Sequence, residues 1–244
     1  IIINRVKIMI DSEKIYSLNL KVEKYLPERI ITLSMDEFDG KIAYVSSFGT
    51  ESAIILHMIS RINKKFPIIL INTYFLFNKT LEYKHMLLEK MNLENFKEIY
   101  PDNETLQNND KQNDLWKTNT DKCCDIRKVQ PLNKELKNYN AWISGRKSYQ
   151  GSERKSLKAF EYINNKVVVN PLVNFSQENV DQYFKKNNLP RHPMYDEGFL
   201  SIGCTHCTAK PTDVKDVRSG RWINQTKTEC GIHKRFKDWE NNNG

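Results

Sequence analysis

Residues 41–61 read KIAYVSSFGTESAIILHMISR, and the reading of this stretch decides the fold. Lys41–Ser46 is a short apolar run rich in strand formers and predicts a buried strand. Ser47–Ser52 (SFGTES) is a polar turn with one glycine, and Ala53–Arg61 has the length and composition of a helix. The next apolar run, Pro67–Asn72 (PIILIN), predicts a second strand, and Thr80–Met91 a helix. Strand, turn, helix and strand form a βαβ unit and imply a parallel sheet. A polar turn feeding a helix leaves backbone N–H groups unpaired, and with the helix dipole these suit a phosphate or sulfate. Ser46, Ser47 and Ser52 add hydroxyl donors, and Gly49 lets the backbone approach an anion. The Lys and Gly spacings of the Walker A and dinucleotide motifs are missing, so a purely structural turn is the alternative.

Further along, AWIS within 137–145 and KVVVNPLV at 166–173 are strand candidates. Ser176–Asn187 predicts a helix with Ser176 as N-cap and Asn179 at N3. Asp102–Asp114 is polar and reads as a surface loop. From Asn188 onward Pro and Gly break the pattern repeatedly, and no internal repeat is present. The expected division is a helical lead-in over 1–35, an α/β domain over 36–210, and a mobile C-terminal catalytic segment over 211–244.

The composition of the 244 residues, 39% hydrophobic and 28% charged with 9 Gly and 8 Pro, excludes a disordered chain and a collagen-like repeat. No apolar stretch approaches the ~20 residues of a membrane-crossing helix. Ile1–Ile10 carries Arg5 and Lys7 and lacks the order of a secretory signal. The expected location is the cytoplasm, where disulfides are rare. The chain does not open on Met, so Met9 is a candidate start and residues 1–8 a candidate artefact. The net charge of +8 is concentrated: residues 141–160 and 208–239 each carry a net +4. Localised positive charge points to an anionic partner, a nucleic acid or a small multiply charged ligand, unless it is simply a solvated surface.

Five cysteines remain to be explained. Cys123 and Cys124 are adjacent, and Cys204 and Cys207 form a CxxC. Four thiolates can close a metal site. Zinc competes with a [4Fe–4S] cluster, and adjacent residues suit the separate corners of a cubane better than one tight tetrahedral ion. The fifth, Cys230 in TECGIH, is near Lys227, His233, Arg218 and Arg221 in sequence. Nearby cations lower a thiol pKa and favour a nucleophilic thiolate, although a lone cysteine near a chain end is also often inert.

Taken in order, SSFGTES (46–52), CCDIRKVQPL (123–132), KVVVNPL (166–172), GFLSIGCTHC (198–207), DVRSGRW (216–222) and ECGIH (229–233) resemble the assimilatory sulfonucleotide reductases. The resemblance is to the iron–sulfur type that reduces adenosine 5′-phosphosulfate. It implies a doubly wound, mostly parallel α/β fold of the adenine-nucleotide alpha-hydrolase (PP-loop) type. It also implies cluster ligation by Cys123, Cys124, Cys204 and Cys207, with Lys128 between cluster and substrate. Substrate contacts would come from Ser46, Ser47, Gly49, Glu51 and Ser52, and from Lys128, Lys147, Lys155, Arg218 and Arg221. His233 would serve the anionic end of the ligand in catalysis, and Cys230 would be the nucleophile. Thioredoxin, or a glutaredoxin, would be the reductant; a homo-oligomer is compatible, and neither nucleic acid nor membrane is expected as partner.

Two places depart from the family pattern. Aligned on Gly145 and Gln150, the positions that usually hold Arg carry Lys147 and Lys155, with Arg146 and Arg154 one residue earlier. Either the loop shifts register or this wall of the site is altered. NTYFLFNKT (72–80) also lacks the usual Asp-Thr-Gly start. The alternatives are the same reaction on the 3′-phosphorylated nucleotide, an ATP-consuming relative, and a zinc-bearing basic nucleic-acid-binding module.

Overall fold

The computed structural model describes residues 2–223, 225 and 227–234, with only the backbone described for 2–11 and 152. The expectation about residues 1–8 and the end of the expected C-terminal segment, 235–244, lie outside the described side chains. Six strands form one sheet in the order β3-β2-β1-β4-β6-β5. They are β1 (Ile42–Val45), β2 (Ile68–Ile71), β3 (Phe96–Ile99), β4 (Ala141–Ile143), β5 (Phe160–Ile163) and β6 (Lys166–Val169). All pairs are parallel except β5 with β6. The chain winds outward from β1 to β3, then returns to lay β4 against the other side of β1. This is the expected doubly wound sheet, with its switch point between β1 and β4.

Side chains of a strand alternate between faces, and both faces of the central strands are covered, so β1, β2 and β4 read as continuous apolar runs. Ile42, Tyr44, Ile68, Leu70 and Ile143 join one core cluster, while Ala43, Val45, Ile69, Ile71 and Trp142 join the other. The first face is covered by α1 (Ile2–Val22), α2 (Pro27–Glu37), α3 (Ser52–Ile62), α4 (Asn78–Lys90) and, late in the chain, α9 (Gln177–Lys186). Pro27 opens α2, where its missing N–H costs nothing. The lead-in is tied into the body, since Leu18 and Val22 are buried and Asn19 brackets Phe160 of β5 with two hydrogen bonds. The capping box expected for α9 is present: the Asn179 N–H donates to Ser176 Oγ and the Ser176 N–H to Asn179 Oδ1.

The structure corrects the strand and loop expectations in three places. Phe96–Ile99 and Phe160–Ile163 are strands that the sequence reading did not place. Asp102–Asp114 is not simply a loop: Asp102 caps α5 (Asn103–Asn109), and Asp110 is buried. The run after it, α6 (Leu115–Thr118), α7 (Thr120–Cys124), a π turn (Asp125–Val129) and α8 (Gln130–Glu135), carries the paired cysteines. Pro131 cannot donate to the carbonyl of Arg127 and would crowd it, and the wider π turn relieves that clash. No helix among the described residues is long and apolar enough to cross a membrane.

Candidate active site

A cleft of about 210 Å³ opens at the carboxyl ends of β1, β2 and β4, at the switch point. Its floor is the 46–52 turn. Phe48 sits in the left-handed region at φ 49° with its ring fully buried against Phe96. Holding a bulky residue there costs on the order of 1–3 kcal/mol, supported by the packing around the ring. The Phe48 N–H donates to Ser46 Oγ, and Gly49 lies so close to Ile202 O that a Cβ would stand 3.4 Å away. The N-terminus of α3 has no side-chain cap; the Ser52 and Ile54 N–H groups bond back to the Gly49 and Glu51 carbonyls, and the helix turns the positive end of its dipole toward the cleft. Ser46, Ser47, Gly49, Glu51 and Ser52 all line the space. Glu51 spends its carboxylate on the next loop, accepting from Lys147 Nζ (2.6 Å), Gln150 Nε2 (2.7 Å) and Tyr149 Oη (3.0 Å).

The two basic stretches converge on this cleft. Arg146, Lys147, Arg154, Arg218 and Arg221 line it, whereas Lys155 is exposed and outside the lining. The side chain turned inward is thus Arg154, one residue before the position aligned by spacing. Most of these cations are matched: Arg146 with Glu161 at 2.6 Å, and Arg154 with Glu229 through two bonds of 2.6 and 2.9 Å. Arg218 reaches the same Glu229 at 3.2 Å. Burial alone would raise the Glu229 pKa, but the Arg154 hydrogen bonds and the Arg154 and Arg218 charges hold it well below the carboxylate range. His233 stacks on Trp142 at 5.4 Å, and burial, with Arg146 beside it, holds the imidazole neutral. Its Nδ1 has no hydrogen-bond partner among the described residues.

Of the five cysteines, Cys230 lines the cleft and the other four lie behind its wall, beside Lys128 and Trp222. Cys123, Cys124, Cys204 and Cys207 are buried, and Cys230 is half-buried. Burial pushes the Cys123 thiol up to about 11, and the neighbouring Cys204 and Cys207 raise it too. Cys204 is pinned by a backbone bridge to Leu76 and by Thr73, whose Oγ1 is 3.3 Å from its sulfur. The proximity of Cys230, with burial, pushes the Cys124 thiol up, and Cys124 and Lys128 beside it lower Cys230. Burial would lower the Lys128 pKa, but the charge of Cys204, Cys230 and Cys124 more than offsets this and keeps the ammonium protonated. Lys128 therefore stands between the cysteine centre and the cleft it lines.

Do four thiols here suit an iron–sulfur cluster? Among the described residues no group of three or more His, Cys, Asp or Glu is gathered for a single metal ion. The donor chemistry fits a larger centre: four buried sulfurs come from two segments, with Arg127 and Lys128 as cations beside them. Trp222 packs on Cys204 and Cys207 with its Nε1 buried and without a partner among the described residues, a donor beside sulfur where a thiolate or sulfide acceptor would satisfy it. Trp222 is also held in the left-handed region, at φ 51°.

Several residues around the site escaped the sequence reading. Asp110, Asn113 and Thr73 clasp the buried Arg127, and Asp121 meets two lysines of the C-terminal segment. Glu229 and Arg127 lay inside the quoted motifs, but nothing in the sequence said what they touch. No local signal marked Asp110.

The family model for the phosphoadenosine phosphosulfate reductase domain matches residues 41–210. Over 208 residues the chain is 39% identical to an adenosine 5′-phosphosulfate reductase from Chelativorans sp., covering 84% of this chain and 85% of that one. It is 36% identical over 211 residues to one from Bacillus cereus, covering 84% and 88%. Among solved structures, phosphoadenylyl-sulfate reductase from Candida auris superposes with a TM-score of 0.69 at 26% identity, covering 81% of this chain and 97% of that one. Yeast FAD synthetase shares the fold at a TM-score of 0.55 and 15% identity, covering 82% and 67%.

Proposed function

This chain belongs to the phosphoadenosine phosphosulfate reductase domain family, and we propose that it reduces adenosine 5′-phosphosulfate to sulfite and AMP with an outside dithiol. The observation that carries this reading is the meeting of Cys230, the arginine pair Arg218 and Arg221, and the 46–52 turn in one cleft. The nucleotide's phosphosulfate lies over the α3 N-terminus, and the cations neutralise its oxygens. The Cys230 thiolate attacks the sulfonyl sulfur as the bond from sulfur to the bridging oxygen breaks. AMP leaves with that electron pair, and the enzyme retains Cys–S–SO3⁻. A thiolate of the reductant then attacks the Cys230 sulfur and sulfite departs. The reductant's second thiol resolves the mixed disulfide, so the two electrons come from the dithiol, which ends as a disulfide. Thioredoxin or a glutaredoxin has the required chemistry.

Cys123, Cys124, Cys204 and Cys207 would hold a [4Fe–4S] cluster, which when bound supplies an ordering centre whose charge acts on the neighbouring field. Lys128 holds its proton beside the sulfurs and presents positive charge to the cleft. His233, stacked and neutral, shapes the wall beside the anion. Glu51 holds Lys147 and Gln150 in place as a positioning residue. The family match leaves the nucleic-acid-binding module without a supporting observation.

The test is an anaerobic assay of sulfite release with a thioredoxin-type dithiol and each nucleotide in turn, beside analysis of iron and sulfide. The expected result is turnover that favours adenosine 5′-phosphosulfate, with four irons per chain. Turnover of the 3′-phosphorylated nucleotide at higher kcat/KM would overturn the substrate assignment. Zinc in place of iron would overturn the cofactor. A narrower expectation concerns Gly203, where a Cβ would stand 2.3 Å from the Arg221 guanidinium. Gly203→Ala should displace that fork and weaken AMP binding about tenfold, read by calorimetry.

A further inference from the structure

The segment bearing Cys230 forms no strand with the sheet; among the described residues it is held mainly by side chains. One anchor is Glu229, already placed between Arg154 and Arg218. Another joins the segment to the cysteine-bearing helix. Asp121, on the short helix α7 that also carries Cys123 and Cys124, accepts from Lys227 and from Lys234, the latter at 3.3 Å. Lys227 and Lys234 bracket Cys230, three residues before it and four after. The tight turn at Gly231–His233 folds the chain so that both ammonium groups reach one carboxylate. The Lys227 side chain is 4% exposed, so this contact is not an ordinary solvated pair.

We propose that Asp121 is a positioning residue that staples the Cys230 segment onto the cysteine-bearing helix. The inference rests on the reading of Cys230 as nucleophile. The reaction makes opposite demands on that thiol: it must be enclosed to attack the sulfonyl group, and exposed to hand its adduct to an outside dithiol. A carboxylate gripping two lysines on either side of the nucleophile sets the balance between these states. The grip is ionic, and its Lys234 arm is the more exposed, at 23% against 4% for Lys227, so salt weakens it mainly through that arm.

Asp121→Asn keeps the shape and removes the charge. In the anaerobic holoprotein, alkylation of Cys230 by iodoacetamide, read by mass on the peptide that contains it, is expected to speed up at least about tenfold. Added salt should accelerate the unmodified protein and leave the variant nearly unchanged. KM for the nucleotide should rise, while kcat at saturating nucleotide and limiting dithiol should not fall. Asp121→Glu should restore slow alkylation. Lys234→Gln, away from the cysteine helix, should speed alkylation in the same direction, which keeps the test open if Asp121→Asn disturbs the cysteine centre. Alkylation unchanged in both variants, or as fast in Asp121→Glu as in Asp121→Asn, would overturn the staple. The labelling needs no turnover, so absent sulfite release alongside altered labelling would defeat the reaction and leave the staple standing.

Discussion

Cys230→Ser is expected to lose sulfite release by at least about a thousandfold while the cysteine centre stays intact. Cys230 borders the cleft and faces two cations, Lys128 and Lys227. These lower the cost of a thiolate, and a serine hydroxyl in the same place remains protonated and unreactive. The expectation is tested by exposing each protein to adenosine 5′-phosphosulfate without a dithiol and weighing it. The unmodified chain should gain one sulfonate on the peptide containing Cys230, and the variant none. An adduct that persists on Cys230→Ser would move the nucleophile elsewhere.

The second large effect is on stability. Arg127 is 1% exposed and Asp110 is 3% exposed. Asp110 Oδ2 accepts from Arg127 Nη2 at 2.6 Å and from Nε at 3.1 Å. Arg127 Nη1 donates to the Thr73 carbonyl at 3.0 Å, and its guanidinium lies 4.0 Å from the centre of the Phe75 ring. Removing one partner of a buried pair strands the other charge, at a cost of about 3–5 kcal/mol. That is a large share of a total stability of roughly 5–15 kcal/mol. Asp110→Ala should therefore shift the urea midpoint strongly. Adding Arg127→Met should recover much of the loss, since no charge is then orphaned. A loss under about 1 kcal/mol in the single variant would show that the pair is not under strong desolvation. The pair also backs the cysteine centre, because Thr73, held by Arg127, touches the Cys204 sulfur.

The contrast between legible and hidden features has physical causes. β1, β2 and β4 were readable because they are fully buried apolar runs, and β6 because three of its four residues are Val. β3, Phe96–Ile99, was not, because its FKEI is only partly buried and looks polar. β5 escaped as well, although Asn164-Asn165, both in the left-handed region, mark the hairpin to β6. The capping of α9 was readable because both partners lie within three residues. Asp102 carries the same kind of signal for α5, but the polar run around it outweighed one cap. In the site, the motifs exposed the cysteines and the arginines near them. They did not reveal that Arg154 faces inward while Lys155 is exposed, because one residue of register reverses which side chain points in.

Sequence alone determined the βαβ unit over 41–72, the polar turn within it, and the cysteine pair and CxxC as local patterns, since each is a pattern of residues close together along the chain. Tertiary structure alone decided the pairing of charges. Arg154 and Glu229 are 75 residues apart, and Lys227 and Asp121 are 106 apart. Periodicity and capping are local, whereas a buried cation takes whichever carboxylate the folded chain brings within reach, and no local pattern encodes that choice.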